Sequence, residues 1–130
     1  MYCSTEDIQA LTGLVFTAST TPTLREVGTL ITDVSADIDG ILGAAHYTVP
    51  VADPEARRML RGYVKFGVAV RAWFAGRLSD DEPPNVTYWK EEYRSFVARL
   101  RSGDQRLPGL TPGQNENTYS IAFAIERDTD

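Results

Sequence analysis

From Leu24 to Leu42 the chain places Leu24, Val27, Leu30, Ile31, Val34, Ile38, Ile41 and Leu42 at spacings of three and four. That periodicity belongs to a helix with one buried stripe, because a strand would send successive residues to opposite faces. Thr23 with Glu26 three residues on is a capping box, and Gly43 is the expected stop. About 20 residues of helix reach roughly 30 Å at ~1.5 Å per residue. A stripe of that length needs partners, so the rest of the chain must be able to cover it.

Three further segments read as helices. A short one spans about Thr5 to Thr12, with Ser4 and Asp7 resembling a capping box, Ile8 and Leu11 as its apolar face, and Gly13 as its stop. The third starts at Asp53 as cap and Pro54 in the first turn and runs to about Arg77. Its apolar face is expected at Ala56, Met59, Leu60, Tyr63, Phe66, Gly67, Val70, Trp73 and Phe74. Such breadth makes this helix central, with Gly67 marking a close crossing. An acidic, proline-rich break from Ser79 to Pro84 precedes a fourth helix, capped by Asn85, running to about Ser102 and stopped by Gly103. Val86, Trp89, Tyr93, Phe96, Val97 and Leu100 form its inner side.

Beyond Gly103 the pattern changes. Residues 104–117 show no apolar periodicity and read as an extended, mobile arm. Then Tyr119, Ile121, Phe123 and Ile125 alternate with Ser120, Ala122, Ala124 and Glu126, the period-two pattern of a strand. The expected fold class is therefore all-α: a four-helix bundle-like domain with two long central helices over 1–103. An extended C-terminal arm, 104–130, ends in a lone β-strand at 118–126. A strand must pair its backbone polar groups, and an unpaired apolar one is an aggregation hazard. Either it folds back on its own chain or it adds to another; about fourteen residues of arm could reach roughly 45 Å at ~3.3 Å each.

The chemistry of catalysis is thinly represented. His46 is the only histidine and is expected to cap the end of the second helix; no Gly-x-Ser-x-Gly elbow accompanies it. Cys3 is the only cysteine, which excludes an intrachain disulfide and a thiolate metal cage and reads as a half-buried filler. Asp33 and Asp37 share a helix face, as a solvated or partner-facing surface more readily than as a metal site. Both phosphate-binding glycine motifs are absent. Catalytic, cofactor-binding and metal residues are accordingly expected to number none. The chain carries 18 acidic against 13 basic residues, a net charge of −5 that disfavours general binding to nucleic acid. No secretory signal opens it and no stretch is apolar enough for a membrane, so a soluble protein, intracellular when made, is expected. Arg57, Arg61 and Lys65 recur every four residues with Arg58 beside them, as an interface or salt-bridge stripe, a DNA-facing one, or a solvated face.

The order of elements resembles the head–tail connector (adaptor) proteins of tailed bacteriophages. The resemblance rests on Tyr2 to Ile8 opening a short helix that closes at Thr12-Gly13. It continues in Asp37-Ile-Asp-Gly-Ile-Leu-Gly43 ending the long second helix, then Tyr47 and Pro50, Val68-Ala-Val-Arg-Ala-Trp-Phe74, and the late Tyr119-Ser-Ile-Ala-Phe123. It implies a non-enzymatic virion protein, assembled in host cytoplasm and residing at the head–tail interface. Its subunits are expected to form a ring, a dodecamer in the virion, beneath the portal protein. The ring would extend the DNA channel without sequence-specific binding and dock the next head-completion or tail protein. In that setting Tyr119, Ile121, Phe123 and Ile125 would add a strand to a neighbouring subunit or the portal. Arg57, Arg58, Arg61 and Lys65 would meet an adjacent subunit or the portal, and Asp80, Asp81 and Glu82 would line the channel. The alternative is a small helical DNA-binding regulator; a third class is an enzyme whose site forms between chains around Asp33 and Asp37.

Overall fold

A computed structural model describes residues 1–76 and 81–112. Within them the chain forms four helices, α1 (Thr5–Thr12), α2 (Leu24–Ala44), α3 (Pro54–Gly76) and α4 (Pro84–Ser102), and no strand. The strand expected at 118–126 lies outside the described residues.

Reciprocal caps set the first two starts. The Asp7 amide donates to Ser4 Oγ at 3.2 Å while the Ser4 amide donates to Asp7 Oδ2 at 2.9 Å. Thr23 and Glu26 repeat the arrangement at 3.1 and 2.8 Å. Each cap satisfies two amide donors that the helix leaves without partners. Gly13, with φ +73°, ends α1 in the left-handed region as expected.

Gly43 does not end α2. The helix continues through it to Ala44, and the reversal is made by His46, whose φ is +71°. The His46 amide donates to the Gly43 carbonyl at 3.0 Å and the Tyr47 amide to the Leu42 carbonyl at 2.9 Å, closing the last turn. The stop falls here because Tyr47 and Val51 are drawn into the core, with 6 % and 2 % exposure. Asp53 caps α3 as expected: its carboxylate accepts from the Ala56 amide at 3.0 Å. Asn85 does not cap α4. That helix begins at Pro84, two residues before the expected start, and Asn85 Oδ1 accepts only from the adjacent Val86 amide. Pro84 has no amide to satisfy and a φ already suited to a first turn, so no side-chain cap is required.

α3 is the central element and packs against the other three helices. Its buried line is Ala56, Leu60, Val64, Val68 and Ala72, every fourth residue, with Gly67 and Ala69 beside it. The expected face was displaced toward the large side chains: Phe74 is 41 % exposed. Small and β-branched residues occupy the seams because they let three neighbours approach closely, while Tyr63, Phe66 and Trp73 sit half-buried on the flank. Gly67 does mark a close crossing: a Cβ there would lie 2.7 Å from the Tyr93 ring of α4. One turn away, Tyr63 stacks on Phe96 with ring centroids 4.0 Å apart.

Residues 104–112 do not leave the bundle as the extended arm was expected to. Leu107 is 2 % exposed within the main core, and its amide donates to Tyr47 Oη at 3.4 Å. The Gln105 amide returns to the Arg99 carbonyl at 3.1 Å. One leucine in the core thus holds the chain against the helices after Gly103.

Candidate functional site

A concave surface with an apolar floor lies between α3 and α4. Its floor is Gly67 and Val70 from α3 with Tyr93, Val97 and Ala98 from α4, and it encloses about 340 Å³. Four cations rim it: Arg71, Lys90, Arg94 and Arg101. Lys90, Arg94, Val97 and Arg101 share one face of α4 because they are separated by four, three and four residues. Gly67 lets α4 approach α3 closely enough for Arg71 to join that face from the other side.

Two of the cations are neutralised locally. Arg71 pairs with Asp37 of α2 at 3.0 Å, and Lys90 with Glu82 at 2.8 Å. Arg94 and Arg101 carry no ion pair among the described residues, and both are exposed. In a chain of net charge −5, a face with two exposed arginines outside every ion pair among the described residues attracts anionic groups. Burial raises the Tyr93 hydroxyl above its ordinary pKa, with the Arg71 charge opposing that rise. The phenol is therefore a neutral part of the floor at physiological pH.

Arg101 joins this groove to two neighbouring depressions. One, of about 440 Å³, runs along Ala36, Gly40 and Ala44 of α2. The other, of about 230 Å³, is lined by Tyr47, Leu100, Gln105 and Pro112. Pro112 therefore lines a depression that adjoins the groove at Arg101.

The residues singled out from sequence do not share one place. Arg57 is a structural residue: its guanidinium donates to the carbonyls of Val51 and Met1, both at 2.8 Å, and lies 5.1 Å from the Tyr2 ring centroid. Arg58 pairs with Glu55 at 2.6 Å on the open surface. Arg61 and Lys65 face the amino-terminal end, close enough to act on the Cys3 thiol. Burial first, and then the Asp7 charge, push that thiol up to about 11, which suits a filler and not a nucleophile. Glu82 belongs to the α4 start, where it accepts from Lys90 and Thr87, and these bonds hold its carboxyl below the usual range. Asp81 is exposed beside it, whereas Asp80 lies outside the described residues, as do Tyr119, Ile121, Phe123 and Ile125. Asp33 is exposed, and Asp37 is turned to Arg71; no three His, Cys, Asp or Glu side chains converge on a metal-sized site among the described residues. No described helix is long and apolar enough to cross a membrane.

The groove escaped the sequence reading, although its α4 half carried a signal in the spacing of Lys90, Arg94 and Arg101. No family model matches this chain, and neither a curated protein nor a solved structure is significantly similar to it.

Proposed function

We propose that this protein is a structural assembly subunit, a head–tail connector (adaptor) of a tailed bacteriophage, and not an enzyme. It would form a ring beneath the portal, dodecameric in the virion, extend the DNA channel and dock the next head-completion or tail protein. The observation that carries the reading is the open groove between α3 and α4, whose apolar floor and cationic rim suit an extended or helical protein segment. The layout of helices and turns, and the late alternating segment with Tyr119, Ile121, Phe123 and Ile125, add to it. Strand addition by that segment to a neighbouring subunit or the portal is part of the proposal.

The test is the solution mass by light scattering, alone and with a candidate portal. The full chain is compared with one truncated after Pro112. Cutting at Gly103 would remove Leu107 from the core and confound assembly with unfolding. Rings or portal binding by the full chain and not by the truncated one support the connector reading. Monomers that ignore the portal in both cases reject it.

One observation favours a second reading, a helical DNA-binding regulator: the cations around the groove, of which Arg94 and Arg101 are outside every ion pair among the described residues. It predicts duplex binding that weakens steeply as salt rises, and no binding at low salt removes it.

A further inference from the structure

The geometry points to an occupant for the groove in the free protein: the chain's own segment 119–130, docked in cis with its apolar residues on the floor and its acids against Arg94 and Arg101. Three observations lead there. The first is position. Pro112 lines a depression that shares Arg101 with the groove, so the residues that follow start beside it.

The second is length. Residues 113–118 span up to about 20 Å when extended, and eight more from 119 to 126 span about 26 Å at ~3.3 Å each. From Arg101 to Lys90 the helix rises only about 16 Å at ~1.5 Å per residue. The segment thus reaches the groove and runs its whole length.

The third is chemistry. Residues 113–130 contain Glu116, Glu126, Asp128 and Asp130 against the single cation Arg127. The groove presents the complement, two exposed arginines without ion pairs among the described residues beside an apolar floor. Tyr119, Ile121, Phe123 and Ile125 on one face of an extended segment match that floor, and the acids that follow match its rim. An intramolecular ligand on a short tether acts at an effective concentration near the millimolar range, well above that of a second copy in dilute solution. Docking of this kind would also shield an alternating apolar segment that otherwise invites aggregation. The site is self-occupied until an assembly partner displaces the segment.

The experiment uses the full chain with Cys3→Ser and Thr129→Cys, which leaves every acid of the segment in place, a nitroxide on the new thiol, and amide relaxation in 15N-labelled protein. Docking in cis broadens the amides of Tyr93, Val97 and Arg101 at least several-fold more than those of Gly13 and Thr29. That broadening persists when labelled chains are diluted into an excess of unlabelled, nitroxide-free ones. R94E/R101E, which alters two exposed side chains, reduces it several-fold. Absence of selective broadening overturns the inference. Broadening of 15N chains that carry no nitroxide, mixed with nitroxide-bearing unlabelled chains, assigns the groove to a second copy and overturns it equally. Neither result depends on a portal or a ring, so failure here is distinct from failure of the connector reading.

Discussion

Replacing Tyr2 with Phe tests the tie that fastens the amino terminus to the bundle. The Tyr2 ring is 4 % exposed, its amide donates to Ser35 Oγ at 3.2 Å, and its hydroxyl donates to the Asp39 carboxylate. The same hydroxyl accepts from the Val51 amide at 2.9 Å, and Val51 is itself 2 % exposed. Tyr2→Phe therefore removes a charge-assisted bond, worth about 1.5–3 kcal/mol net, and strands a buried amide at about 1–3 kcal/mol. Asp39 is only half-buried and regains water, which discounts the first contribution. The expected loss is about 2–4 kcal/mol. In urea, with a slope of roughly 1.5–2 kcal/mol per molar, the midpoint falls by about 1–2.7 M. A pH series supplies a second reading. Burial first, and then the bond to Asp39, push the Tyr2 hydroxyl up to about 12. A phenol that ionises near 10 when unfolded contributes stability that is complete below about pH 10 and is lost as pH climbs toward 12. The wild type should lose stability across that window, and Tyr2→Phe should flatten part of the loss. A destabilisation below about 1 kcal/mol, together with an unchanged alkaline profile, would refute the reasoning.

Three other outcomes are expected. Leu107→Ala should cost about 2–4 kcal/mol in denaturant unfolding, because the side chain is fully packed although it lies beyond the last helix. Gly76→Ala should lower the melting temperature: its Cβ would lie 2.1 Å from the Thr21 carbonyl oxygen, so backbone must move, at about 1–3 kcal/mol. Cys3, with its thiol raised to about 11, should react with a disulfide reagent at pH 8 on the order of a hundredfold more slowly in the folded chain than in urea. Its contribution to stability runs in the same sense as that of Tyr2, complete below pH 9 and lost as pH rises toward 11.

Local chemistry was legible wherever a residue and its near neighbours decide the outcome. Ser4 with Asp7, Thr23 with Glu26, Asp53 with Pro54, and the stops at Gly13 and Gly103 could all be read from the chain, because a cap is made within four residues. Most of the α2 stripe was legible for the same reason, since one periodic face records one buried side; Leu24, 44 % exposed, falls outside it, and Ser35, 4 % exposed, joins it. Where the chain ends a helix for a distant cause, sequence alone misplaced it. Gly43 has the conformational freedom to stop α2, yet the turn waits for His46 because burial of Tyr47 and Val51 dictates where the backbone must go.

Only the tertiary structure decided the face of α3, the fate of Arg57 and the existence of the groove. A helix touched on three sides buries a line of small residues that hydropathy underrates, so Val64, Val68 and Ala72 displace Phe74 from the core. Arg57 shares a helical stripe with Arg61 and Lys65, but its partners are the carbonyls of Met1 and Val51, which no periodicity relates to it. The cations of α4 repeat along one face by themselves. What makes them a site is Arg71, brought alongside by the glycine crossing at Gly67, across an apolar floor that neither helix possesses alone.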